Sequence, residues 1–61
     1  MKKPEVGDIW VSTIINKKYL LAELTAEYET HKTFSVFPIG HNDSLLFANF
    51  TNDLRGWEFV A

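Results

Sequence analysis

The segment KKYLLAELTAEYE, residues 17–29, decides the fold of this 61-residue chain, because its pattern fits both a helix and a strand. It is rich in helix formers, and Leu20, Leu24 and Tyr28 follow an i, i+4, i+8 spacing. A helix over 17–30 would rest on a four-stranded sheet and make an α+β domain. The charges oppose it. Lys17 and Lys18 would sit at the positive end of the helix dipole, and Glu27 and Glu29 at the negative end. Glu23 and Glu27 would repel one turn apart, and no glycine follows to cap the C-terminus. We therefore read the segment as a strand and the chain as all-β.

Candidate turns recur on either side of it: INKK at 15–18, ETHK at 29–32, GHND at 40–43 and TNDLRG at 51–56. Between them lie β-branched and aromatic segments at 9–15, 18–29, 33–39, 44–50 and 56–60. Five short strands at this spacing predict a single domain over residues 1–61. Its expected form is an antiparallel five-stranded barrel or small sandwich.

Pairing registers give each strand two faces. A two-residue loop at Asn16-Lys17 sets Val11 opposite Ala22 and Ile9 opposite Leu24. A loop at Thr30-His31 sets Leu24 opposite Phe37 and Ala22 opposite Ile39. Both choices collect Ile9, Val11, Leu20, Ala22, Leu24, Ala26, Tyr28, Phe37 and Ile39 on one face, expected to be the core. The other face carries Trp10, Ile14, Tyr19, Leu21, Phe34 and Val36, beside Glu23, Thr25 and Glu27. SLLFANF, residues 44–50, adds a large apolar residue to each face in either register. A monomer rarely exposes a contiguous apolar patch above about 300–600 Å². The face of Trp10, Ile14, Tyr19, Leu21, Phe34 and Val36 is thus expected to meet a partner.

Composition narrows the function classes. The chain is 46% apolar with nine aromatics (two Trp, two Tyr, five Phe), too apolar to stay disordered. A net charge of −2 is too small for a mimic of DNA and has the wrong sign for a dedicated phosphate-backbone binder. There is no cysteine, hence no disulfide and no thiolate metal site. The longest apolar run, YLLA, is far too short to span a membrane, and MKKPEVGD lacks the apolar core of a secretory signal. These features lead to the expectation of a cytoplasmic protein.

Chemistry-bearing residues are scattered. His31 and His41 fall in predicted turns at opposite ends of the meander, and His41 with Asp43 is one ligand short of an open zinc site. Ser12, Ser35 and Ser44 have no neighbouring base, and Gly7, Gly40 and Gly56 stand apart instead of forming a phosphate loop. No enzyme, cofactor or metal site is expected. Lys17 and Lys18 beside Tyr19 make a basic hairpin tip, the candidate nucleic-acid contact. In LRGWEFV, residues 54–60, Gly56 admits an unusual backbone angle, and Trp57 and Phe59 share one face of a closing strand.

This plan resembles the SH3-like small barrels, a family that includes Tudor and KOW modules. VGDIWV at 6–11 is similar to the opening strand of the MazF/PemK-type ribonuclease toxins, which are also SH3-like barrels. The chain is about half as long as those toxins and has no Arg-Pro segment after the second strand, so their nuclease activity is not implied. The GWEFV ending is similar to that of small bacterial and phage proteins. The resemblance implies an accessory protein of phage or bacterial type. We expect a protein–protein interaction module that binds and inhibits or modifies a host factor, or pairs with itself as a homodimer. The alternatives are a nucleic-acid-binding barrel, using Lys17 and Lys18, and an oligomer that sequesters a small ligand between subunits.

Overall fold

A computed structural model describes residues 2–40 and 44–61. The chain is all-β: β1 (Ile9–Ser12), β2 (Lys17–Glu27), β3 (His31–Pro38), β4 (Leu46–Thr51) and β5 (Trp57–Phe59). They form one antiparallel sheet in the order β4-β3-β2-β1-β5. The first four strands follow one another as a meander, and β5 returns to pair with β1. The sheet stays open, with β4 and β5 as its edges, so the barrel does not close through hydrogen bonds. Residues 17–27, the ambiguous stretch, are strand and not helix.

Turn chemistry moves both hairpin registers from those expected. The β1–β2 connection is Thr13–Asn16, where Asn16 takes the left-handed conformation (φ 56°) and its N–H donates to the Ser12 carbonyl at 2.7 Å. A two-residue Asn-Lys loop would have put Lys17 into that conformation as well, which lysine resists. Ile9 consequently pairs with Leu20, and Val11 with Lys18. In the next hairpin the Tyr28 N–H donates to the His31 carbonyl at 2.8 Å, so Glu29-Thr30 is the loop.

β2 then breaks strict alternation twice. Its register against β3 shifts between Leu21 and Glu23, and again between Leu24 and Ala26. Ala22 and Thr25 are the residues inside these irregularities, and the Thr25 hydroxyl donates to the Thr33 carbonyl at 3.0 Å. An extra residue turns the following side chain to the opposite face and bends the strand. Leu21 and Leu24, three positions apart, therefore pair with Val36 and Phe34 on the same face. The bends curl the sheet around that face.

The enclosed face is the one expected to be open. Trp10, Tyr19, Leu21, Phe34, Val36 and Phe50 form the buried core, with Ala48, Leu54 and Trp57 packed against it. Trp10, Tyr19, Leu21, Phe34 and Val36 are thus covered by the chain itself, while Ile14 projects from the β1–β2 turn, 82% exposed. Leu21, expected outside, is 1% exposed; Leu24, expected inside opposite Ile9 and Phe37, instead pairs with Phe34 on the enclosed face and is 39% exposed. The physical reason is aromatic mass. Phe50 and Trp57 fall on the same side as Trp10, Tyr19 and Phe34, and each such ring removes about 150–250 Å² from water. The aliphatic face cannot match that.

Phe50 is the centre of the core. Its ring meets Trp10 edge-on at 5.7 Å and Phe34 edge-on at 5.5 Å, and stacks on Trp57 at 4.2 Å. Trp57 thereby reaches from one sheet edge to the other, and its indole N–H donates to the Asn49 carbonyl at 3.2 Å. Gly56 delivers it with φ 84°, and a Cβ there would lie 3.0 Å from Ile14 Cδ1. We expect Phe50→Ala to cost about 3–5 kcal/mol, a large part of the stability of a domain this size. Phe47→Ala, on the same strand but 71% exposed, should cost under about 0.5 kcal/mol. Urea unfolding followed by tryptophan fluorescence checks the contrast.

Candidate functional surfaces

With the core rings enclosed, the outer face of the sheet carries the other apolar set. Val60, just past β5, donates its N–H to the Ile9 carbonyl at 2.8 Å; Ile9 pairs with Leu20, and Leu20 with Phe37. These four residues make an apolar row across four neighbouring chain segments. A second row runs beside it. Glu58 pairs with Val11, Val11 with Lys18, and the Ile39 N–H donates to the Lys18 carbonyl at 2.9 Å. Phe37, Ile39 and Val60 are 48%, 41% and 43% exposed. Phe47 joins the same face through its pairing with Ser35.

Of three surface clefts among the described residues, two reach core side chains. One, about 170 Å³, follows the open seam between the edges and is lined by Ser12, Ile15, Tyr19, Leu46, Ala48 and Trp57 among others. The other, about 350 Å³, lies between the N-terminal segment, the start of β3 and the β4–β5 turn. Lys2, Lys3 and Lys32 line it, over an apolar floor of Pro4, Phe50 and Leu54.

The N-terminal segment is anchored by Asp8. One carboxylate oxygen accepts from the Glu5 N–H at 3.0 Å, the Trp10 indole N–H at 3.2 Å and Lys2 Nζ at 3.2 Å. Desolvation pushes the Asp8 carboxyl up, but these donors outweigh it and hold it below the usual carboxylate value. Desolvation likewise works against the Lys2 ammonium, and its hydrogen bonds to Glu5 and Asp8 raise it overall. Lys2 also lies over the Phe59 ring, 5.4 Å from its centroid.

The remaining candidates are dispersed. Lys17 pairs with Ser12 and Lys18 with Val11, so the two lysines start on opposite faces and do not form one basic patch. Lys2 and Lys3 gather with Lys32 instead. His31 stacks on Tyr28 at 4.6 Å and lies 3.0 Å from the Thr30 hydroxyl through Nδ1. His41 and Asp43 lie outside the described residues. Among the described residues, no three acidic or histidine side chains converge as a metal site, and no helix is long and apolar enough to cross a membrane. Sequence reasoning missed Lys32 because its place beside the cleft follows from its pairing with Phe50, which only the β3–β4 register reveals.

No protein-family model, curated protein or solved structure matches this chain.

The lowered Asp8 carboxyl has a pH consequence. A carboxyl whose folded value lies below its unfolded value of about 3.9 stabilises the fold above that pH. The contribution is lost as pH falls through the lower, folded value. Asp53, held low by the Thr51 hydroxyl and the Arg55 N–H, acts in the same direction. Asp8→Asn should therefore reduce, without abolishing, the loss of urea resistance between about pH 5 and pH 2. Unchanged acid sensitivity in the variant would show that Asp8 plays no such part.

Proposed function

We propose that the chain is a small docking domain of SH3-like type that acts by protein–protein contact and carries out no catalysis. The observation behind this is the two-row outer face, which runs Val60, Ile9, Leu20, Phe37 beside Glu58, Val11, Lys18, Ile39. Six of these eight residues are apolar and the two charges are opposite in sign. The five-stranded antiparallel order, with the last strand back beside the first, supports the SH3-like assignment. The mechanism is steric. An apolar partner surface excludes water from the rows, and Lys18 and Glu58 set its orientation.

The occupant we commit to is a second copy. Glu58 and Lys18 flank Val11 on adjacent strands, each about 5 Å away across the sheet. A copy turned by a two-fold axis along β1 lays Val11 on Val11, Ile9 on Ile9 and each Lys18 over the other copy's Glu58. Such an isologous contact is self-complementary by construction. The wider role that goes with this is an accessory protein of phage or bacterial type, working in the cytoplasm on a host factor.

Size-exclusion chromatography with light scattering tests the assignment. The chain should run as a dimer of its 7.0 kDa unit at tens to hundreds of micromolar. Phe37→Glu should keep the strand signal in circular dichroism. Lys18→Glu should weaken association at least about tenfold, or 1.4 kcal/mol, and adding Glu58→Lys should restore it. A folded monomer across the whole range would exclude the second copy and leave the face to a different protein. Association unaffected by Phe37→Glu, Lys18→Glu and the charge swap would exclude the outer face.

A further inference from the structure

The cleft at the N-terminal end of the core is independent of the outer face, and its chemistry points to a ligand. The whole chain has eight acidic and six basic side chains, yet three of the six line this one cleft, and among the described residues no acidic one does. Lys2 is committed to Glu5 and Asp8 at 3.2 Å each. Lys3 and Lys32 have no carboxylate within ion-pairing distance among the described residues, although Glu27 is the cross-strand neighbour of Lys32. Lys3 and Lys32 thus line one concavity of about 350 Å³ with neither lysine in an ion pair among the described residues; the volume is inside the range of about 300–1,000 Å³ typical of small-molecule sites. Its floor is apolar: Pro4 and Phe50 are buried, and Leu54 is packed against the core.

Point charges on flexible stems suit a phosphate dianion, whose oxygens accept from several directions. An apolar floor beside them suits an organic body attached to that phosphate. The side chains of Thr51 and Asn52 are turned elsewhere, donating to Asp53 and to the Glu29 carbonyl, so they leave the charge recognition to lysine. We propose that this cleft binds a small phosphate monoester, its phosphate taken by Lys3 and Lys32 and its organic body laid against Pro4, Phe50 and Leu54. The site is separate from the protein-docking face, and neither assignment depends on the other.

The test is a two-dimensional ¹⁵N NMR titration of the full chain with three probes: inorganic phosphate, adenosine 5′-monophosphate and unphosphorylated adenosine. The monophosphate should give saturable shifts confined to Lys3, Lys32 and residues 50–54, with a dissociation constant below about 1 mM. Inorganic phosphate should move the same resonances more weakly, and adenosine alone should bind at least about tenfold more weakly than its monophosphate. In the Lys3→Gln/Lys32→Gln double variant, whose changes are at surface positions, the saturable shifts should disappear while the spectrum stays folded. The proposal is overturned by an absence of saturable shifts up to about 10 mM monophosphate. It is overturned equally by shifts that persist in the double variant, or that spread over Lys17, Lys18 and Arg55. A single-stranded oligonucleotide that binds far more tightly than the monophosphate, with contacts running well outside the cleft, would replace the small ligand with a nucleic acid.

Discussion

The stacking of Phe50 on Trp57, at 4.2 Å, is the contact on which the rest of the structure depends. The two rings come from opposite edges of the sheet, β4 and β5, which share no hydrogen-bonded ladder. Their contact holds the curled sheet in place where a closed barrel would use backbone pairing. Trp10, Phe34 and Tyr19 then pack edge-on around the pair, so five rings fill the interior. A chain of this length has little other apolar volume to enclose, and without the stack the sheet would have two open edges over an exposed aromatic surface.

The curl itself comes from β2. A flat strand of eleven residues would present alternating faces along its whole length and leave β4 and β5 far apart. The shifts at Ala22 and Thr25 bend it, and Thr25 offsets part of the lost ladder by donating from its hydroxyl to Thr33. Bending toward the aromatic side turns the aliphatic rows outward. The apolar outer face is therefore a consequence of how the core is closed. A concave side filled with rings leaves Ile9, Leu20, Phe37 and Val60 on the convex side, with Phe37 and Val60 exposed and Ile9 and Leu20 half-buried.

The strand count, the all-β class and the approximate strand positions were legible from the spacing of turns and from the misplaced charges of residues 17–29. So was the division of β1 into two alternating sets, because a register error of an even number of residues does not change which side chains share a face. Which set lay inside was not legible from pairing alone. The deciding signal was present in FANF and GWEF, whose aromatics had to be assigned to a face before the core was chosen. Asn16 was a second available signal, since one residue tolerant of the left-handed region favours a four-residue turn over a two-residue loop. The irregularities in β2 had no such marker, as neither Ala22 nor Thr25 announces a bulge. The lysine cleft depends on three separate segments meeting, which periodicity does not encode.

This small domain has one aromatic core, one largely apolar outer face and one lysine-lined cleft. The outer face and the cleft both require that Trp10, Tyr19, Phe34, Phe50 and Trp57 be interior and Ile9, Leu20, Phe37 and Val60 exterior. A NOESY spectrum of the free protein tests that requirement most directly. The Phe50 ring should show cross-peaks to the rings of Trp10, Phe34 and Trp57, and the Trp57 indole proton should lie near Asn49. The side chains of Ile9, Leu20 and Phe37 should show contacts to one another and none to those rings. Cross-peaks joining Ile9, Leu20 and Phe37 to a buried Leu24, with Trp10 and Phe34 lacking contact to Phe50, would contradict the account.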